Sequence, residues 1–147
     1  MADETNAPLA RLLGLCSAQF SQQLLQSLWD AGFTDQRMVY NNVFPFIPPE
    51  GIRLTDLAER AGMTKQAMSE LVGDLVEMAY LRRTPDPSDG RAKLIEFTDR
   101  GWAAVNTVLA SFKETEAALM ARLGEQRMAE LQRTLIDLLN SPKFDPQ

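Results

Sequence analysis

Between residues 54 and 80 apolar positions recur at steps of three and four. Leu57, Ala58 and Ala61 share one side of a first short stretch, and Met68, Leu71, Leu75 and Met78 one side of a second. Opposite the second stripe lie Lys65, Gln66, Ser69, Glu70 and Asp74, all able to hydrogen-bond outward. Gly62 and Met63 interrupt the pattern, and Thr55 and Thr64 offer capping hydroxyls at the two starts. Two short helices joined by a glycine turn, the second polar on its outer face, predict a helix-turn-helix. The period then changes. Residues 81–84 and 94–97 read as strands. Pro85, Asp86, Pro87, Ser88, Asp89 and Gly90 between them are turn chemistry, with Asp89-Gly90 suited to a positive φ. A helix-turn-helix followed by such a hairpin is a winged helix. Ile52, Arg53 and Leu54 form a candidate third strand beside the wing.

The flanks read as helices. From Pro8, which suits a helix start, Leu9, Leu12, Leu13, Cys16, Phe20, Leu24, Leu25, Leu28 and Trp29 run at helical spacing until Gly32. This helix carries apolar residues on more than one face, more than a small winged helix can cover, which points to a partner subunit. Thr34 is expected to cap a second helix through about Phe44, after which Pro45, Pro48 and Pro49 interrupt helix formation. Beyond the wing, Thr98 caps a long helix bearing Trp102, Val105, Val108, Leu109, Phe112, Leu119, Met120 and Leu123. Gly124 separates it from a last helix with Met128, Leu131, Leu135, Leu138 and Leu139, ending near Ser141. Residues 1–7 are polar and expected to fray. Gly73, inside a helix, suggests close packing. The predicted fold is mainly α with a small β-wing, a winged helix-turn-helix flanked by N- and C-terminal helices that pack together and against their copies.

Composition narrows the class. With 147 residues, 45% apolar and 24% charged, the chain has the make-up of a soluble globular domain. No apolar run is long enough to span a membrane, and the acidic N-terminus lacks the apolar core of a secretory signal. A single cysteine fits a reducing compartment, and the expected location is cytoplasmic. There is no histidine and no pair of cysteines, which removes histidine-based catalysis and the usual zinc sites. No Gly-rich phosphate loop occurs. Neither an enzyme nor a cofactor is expected.

Charge complicates a nucleic-acid reading. The net charge is -5, and residues 52–101 hold eight Lys/Arg against nine Asp/Glu. Distribution outweighs the sum, because phosphate contacts depend on a local patch. Residues 82–93 contain Arg82, Arg83, Arg91 and Lys93 against only Asp86 and Asp89.

The stretch DGRAKLIEFTDRG, Asp89 to Gly101, resembles the wing signature of the multiple antibiotic resistance regulator (MarR) family: Asp, Arg two residues on, an apolar strand, then Phe-Thr-x-x-Gly. Upstream, LTDLAERAGMTKQAMSELVGDLVEMAYLRR is similar to the helix-turn-helix of the same family. The resemblance covers about a third of the chain, and the flanking helices match in length and order. It implies one MarR-like domain over 1–147, with dimerisation helices at 8–31 and 102–140, the winged helix-turn-helix at 34–101 and the wing at 81–97. It implies a homodimeric transcription regulator, repression being the family norm, released by a small aromatic or amphipathic ligand.

A recognition helix enters the major groove with its first turn leading, so Thr64, Lys65, Gln66, Ser69 and Glu70 are the candidate contacts. Gln66 suits adenine, Lys65 guanine or a phosphate, and Ser69 a phosphate. Arg91 suits a narrow, electronegative minor groove, as the matching Arg does in the family. Asp89 is either the wing-orienting Asp of the family or simply a turn residue. Arg83 and Lys93 are candidate phosphate ligands, and Arg82 could instead pair with a carboxylate. A two-fold dimer requires an inverted-repeat operator with half-sites about 10 bp apart.

The effector crevice of the family would draw on Trp29, Phe33, Met38, Phe44 and Trp102, for which ordinary core packing is the competing reading. An alternative is peroxide sensing through Cys16, since some family members use a cysteine in the first helix. Its neighbours Leu12, Leu13 and Phe20 suit a core position equally well, and the tyrosines usual beside such a sensor are missing. A winged helix serving as a protein-interaction module, without DNA, would sit more easily with the acidic balance.

Overall fold

The computed structural model describes residues 7–141. The expectation of fraying at residues 1–7 therefore lies, save for Ala7, outside the described residues. Among the described residues, five α-helices and a three-stranded sheet follow in order: α1 Leu9–Asp30, two 3-10 turns at Met38–Asn42 and Phe44–Phe46, β1 Ile52–Arg53, α2 Leu54–Arg60, α3 Lys65–Glu77, β2 Leu81–Asp86, β3 Asp89–Phe97, α4 Asp99–Leu123 and α5 Glu125–Asn140. The sheet is antiparallel in the order β1-β3-β2, so the short strand before the helix-turn-helix does pair beside the wing. This is a mainly α winged helix. Two compact units are present, one ending at Leu109 and one beginning at Ala110.

The core of the first unit is built from the expected stripe with one shift. Met68, Val72 and Leu75 of α3 are fully buried with Leu57 of α2, Tyr80, Leu81 and Ile95, while Leu71 and Met78 are only partly covered. Val72, not Leu71, occupies the centre, because it lies four residues after Met68 and three before Leu75. Helix α3 begins as its sequence demands: the Thr64 hydroxyl accepts from Ala67 N at 3.2 Å. Thr98 likewise accepts from Gly101 N at 3.1 Å and starts α4. Gly124, at φ +82°, separates α4 from α5.

Four local expectations fail. Helix α2 starts at Leu54, with Arg53 in the capping position and no side-chain cap. Arg53 is held extended by pairing with Leu94, so Thr55 already lies inside the helix. No α-helix forms from Thr34. Arg37 is extended, and only 3-10 turns follow. Asp35 is engaged by Tyr80, 45 residues on, and the Gln36 carbonyl by Trp29 of α1, and Phe44, preceding Pro45, is disfavoured in helix. The wing turn is Pro87-Ser88, while Asp89 and Gly90 belong to β3 and Gly90 has no positive φ. Gly73 marks no close packing, since a Cβ there would meet nothing within 4 Å.

Three helices end alike. After α1, α2 and α3 the chain closes with paired bonds, Phe33 N to Leu28 O with Gly32 N to Trp29 O, Met63 N to Ala58 O with Gly62 N to Glu59 O, and Tyr80 N to Leu75 O with Ala79 N to Val76 O. This closure needs a left-handed residue, and Gly32 and Gly62 supply it at φ +94° and +63°. In α3 the same place is filled by Ala79 at φ 61°. Replacing Ala79 by glycine removes a left-handed alanine at the expense of a freer unfolded chain, and is expected to stabilise by about 0.5–1 kcal/mol. Denaturant unfolding of Ala79→Gly measures it; a lower midpoint would contradict the account.

Outside the core, α1 exposes Leu9, Leu13, Leu15, Phe20 and Trp29. The second unit exposes Phe112, Met120, Leu131, Leu135, Ile136 and Leu139. Among the described residues no helix is long and apolar enough to cross a membrane.

Candidate nucleic-acid interface

Burial of Met68, Val72 and Leu75 turns the opposite face of α3 to solvent. Lys65, Gln66 and Glu70 are exposed and Ser69 is half-buried. Among the described residues the side chains of these four make no hydrogen bond or ion pair, so their donors and acceptors are available. Thr64 is different: its hydroxyl oxygen is committed to the helix cap, leaving the proton to donate outward.

The wing is held at its tip by a carboxylate. Asp86 is buried; its Oδ1 accepts from Ser88 N at 2.8 Å and from Ser88 Oγ at 2.6 Å, and its Oδ2 pairs with Arg53 Nη2 at 2.6 Å. Arg53 Nη2 also lies 3.7 Å from Asp89. One guanidinium from β1 thus faces both aspartates of the wing tip. Asp89 Oδ1 accepts from Arg91 N at 3.1 Å, which fixes the backbone at the candidate minor-groove residue. Asp86 faces Asp89 in the ladder while Pro85 faces Lys93, so Gly90, Arg91 and Ala92 have no opposite number. That bulge presents Arg91 outward, in keeping with the way bulges re-aim side chains beside sites. Arg82 pairs with Glu96 at 3.0 Å, whereas Arg83, Arg91 and Lys93 have no ion pair among the described residues.

The Ser88 hydrogen bonds, with Arg53, hold the Asp86 carboxyl at about 2, against an ordinary 3.8. A folded value below the unfolded one means that ionised Asp86 orders the tip fully above pH 3.8, and that this order is lost as pH falls toward about 2. The Ser88 amide resonance is expected to titrate with a midpoint near 2 in wild type; a midpoint near 3.8 would show the lock to be absent.

Between wing and recognition helix lies an open cleft of about 380 Å³. Lys65 from α3, Arg83 from β2, Lys93 from β3 and Arg53 from β1 line it, with Thr55 from the start of α2. Residues up to 40 positions apart in the chain thus converge: Arg53 and Lys93 share one wall system because β1 and β2 flank β3. Four cations with one hydroxyl around an open cleft can hold phosphate oxygens. Gln66, Ser69, Glu70 and Arg91 do not line it.

Two functional residues escaped the sequence reading. Arg53 counted only as part of a strand, and Asp86 only as a turn residue and a counter-charge. Asp86-Pro87-Ser88 did carry a signal, since an Asp two residues before a free N–H commonly closes an Asx turn.

The aromatic candidates divide. Trp29 and Met38 line a groove of about 400 Å³ with Ala18, Gln22, Leu25 and Gln26. Phe33 and Phe44 pack against Tyr80 with ring centroids 6.0 and 6.1 Å away, Phe44 against Phe97 at 5.5 Å, and Phe97 against Trp102 at 4.9 Å. Phe33 and Phe44 pack against the core, whereas Trp102 is exposed. Cys16 is exposed on α1, not in the core. Tyr40 and Tyr80 are buried, with their hydroxyls directed to Asp74 and Asp35.

Residues 48–92 match the sequence profile described as MarR family. An HTH-type transcriptional repressor of Mycobacterium tuberculosis is 28% identical over 135 residues, 92% of this chain and 94% of that protein. Among solved structures, the S. aureus MepR–DNA complex aligns with a TM-score of 0.71 at 23% identity, over 92% of this chain and 98% of that one. The apo form of E. coli MarR aligns with a TM-score of 0.68 at 20% identity, over 90% and 97%. At these identities the solved structures speak for the fold. The profile falls on β1, α2, α3 and the wing tip, the elements that build the cleft, and the repressor is alike over nearly the whole length; in sequence profile and in fold the chain is similar to the MarR family.

Proposed function

We propose that the protein is a homodimeric, sequence-specific DNA-binding repressor. The observation that carries this reading is the convergence of Lys65, Arg83 and Lys93, none of them ion-paired among the described residues, beside the open polar face of α3. In an acidic chain such a local patch is what phosphate attraction requires. Lys65, Gln66, Ser69 and Glu70, with the Thr64 proton, face the major groove, and Arg91 at its bulge enters the minor groove, with Asp89 holding its backbone. The name of the mycobacterial relative and the DNA-bound MepR structure support this reading.

The whole chain acts as one dimerising module. The exposed apolar residues of α1 and of α5 are the surfaces that a second copy covers, and the operator is an inverted repeat. A small aromatic or amphipathic effector releases it. MepR has been solved with ethidium bromide, and in this chain the groove beside Trp29 and Met38 has the size for such a ring system.

The test is fluorescence anisotropy on DNA flanking the protein's own gene, across a salt series. Saturable binding that weakens steeply with salt is expected. No binding to any flanking fragment or to genomically selected DNA, even at about 50 mM salt, would reject the repressor reading in favour of a protein-interaction module.

A further inference from the structure

The segment that follows α1, the end of α3 and the start of α4 meet at one guanidinium. Arg100, in the first turn of α4, donates from Nη1 to the carbonyl of Met78, the residue that closes α3, at 2.7 Å. Its Nη2 donates to Asp35 Oδ1 and Oδ2 at 3.1 and 2.9 Å and contacts the Tyr80 hydroxyl at 3.2 Å. The guanidinium carbon lies 4.4 Å from the centroid of the Tyr80 ring, which is fully buried. Tyr80 in turn donates to Asp35 at 2.5 Å. Burial and the Asp35 hydrogen bond push the Tyr80 phenol up, so it remains a donor. Beside Asp35, the Gln36 carbonyl accepts from Trp29 Nε1 at 3.0 Å, which anchors the segment to α1.

We propose that Asp35, Tyr80 and Arg100 form a positioning joint that sets the direction of α3 relative to α1, and through it the half-site spacing the dimer accepts. The inference rests on the DNA-binding reading and on α1 as a dimer helix. A single winged helix can settle on one half-site whatever its angle to α1. Two winged helices must enter successive major grooves together, so a few degrees at the joint become ångströms at the operator. The joint is suited to direction more than to stability. Side-chain exposures of 40% for Arg100 and 34% for Asp35 leave the ion pair well hydrated and its net stabilisation small. The fork of an arginine meets the Met78 carbonyl, the Asp35 carboxylate and the Tyr80 face at fixed angles, which a lysine cannot reproduce.

Arg100→Lys, Asp35→Asn and their combination test this. The probe is the shortest duplex from the protein's own upstream DNA that wild type protects from nuclease, intact and with one half-site scrambled. Each single variant is expected to lose about tenfold in affinity for the intact duplex, with an unchanged salt slope and unchanged affinity for the scrambled one. The combination should lose no more than either single variant, because both break the same joint. One-base-pair changes in spacing, which wild type rejects, should become tolerated. Equal losses on both duplexes, or no loss on either while the melting temperature falls, would make the cluster merely structural and overturn the joint. If wild type itself binds neither duplex, the DNA-binding reading fails first and takes the joint with it, a distinct result.

Discussion

Replacing Lys65, Arg83 and Lys93 together by alanine will lower operator affinity by about four orders of magnitude at physiological salt and flatten its salt dependence. The three line one cleft and have no internal counter-charge among the described residues, so their attraction for phosphate is not already spent within the protein. The net charge of -5 repels DNA at long range, so binding depends on this local patch. Each phosphate neutralised contributes a slope of about 0.9 in log affinity against log salt, so three contacts on each of two subunits account for a slope of roughly 5. Extended from about 1 M to 0.15 M salt, that slope spans about four decades. The measurement is anisotropy at four or more salt concentrations, with circular dichroism to verify folding. Arg82→Ala is the internal control. Its guanidinium is already paired with Glu96, and its removal should shift affinity far less. A triple variant that keeps the wild-type slope would place the phosphates elsewhere.

Gly101→Ala will destabilise the fold by about 3 kcal/mol or more, by forced contact and loss of a helix cap. A Cβ at this position would lie 2.1 Å from the Tyr80 carbonyl oxygen, 3.2 Å from its carbon and 3.0 Å from Phe97 Cδ1. Rotamer change offers no escape, since a Cβ has no torsion of its own and two of the three obstacles are backbone. The Tyr80 carbonyl cannot retreat easily either: it accepts from Thr98 N at 3.0 Å and from Thr98 Oγ1 at 3.1 Å. Moving α4 away would break those bonds, the Thr98 cap on Gly101 and the Arg100 joint together. Gly73→Ala is the contrasting case. There the added methyl meets nothing within 4 Å, and the change should stabilise α3 by up to about 1 kcal/mol. Thermal or denaturant unfolding of both variants checks the pair; a stable Gly101→Ala protein would show that α4 has room to shift. The Phe-Thr-x-x-Gly ending of the wing signature thereby acquires a physical meaning, a helix start seated directly on the carbonyl after α3.

Where chemistry is local, the chain could be read without its fold. Thr64 and Thr98 cap the helices expected of them, because a hydroxyl at a helix start needs only the N–H three residues on. The stripe of α3 implied its own opposite face, and so placed Lys65, Gln66 and Glu70 in solvent, with Ser69 half-buried at its edge. The resemblance of the wing singled out Arg91, which is exposed on β3. The segment from Thr34 to Phe44 defeated the same reasoning, since its conformation answers to Trp29, Tyr80 and Arg100 and not to its own propensities.

Sequence periodicity and capping chemistry were enough to establish a winged helix and the polar face of its second helix, because both arise from neighbours within a turn or a strand pair. The long-range pairings came with the fold alone: Arg53 on Asp86, 33 residues apart, Arg100 on Asp35, 65 residues apart, and the cleft that unites Lys65 with Lys93. No local signal encodes such partners, because what selects them is the packing of β1 against β3 and of Tyr80 beneath α4, and packing is a property of the assembled core.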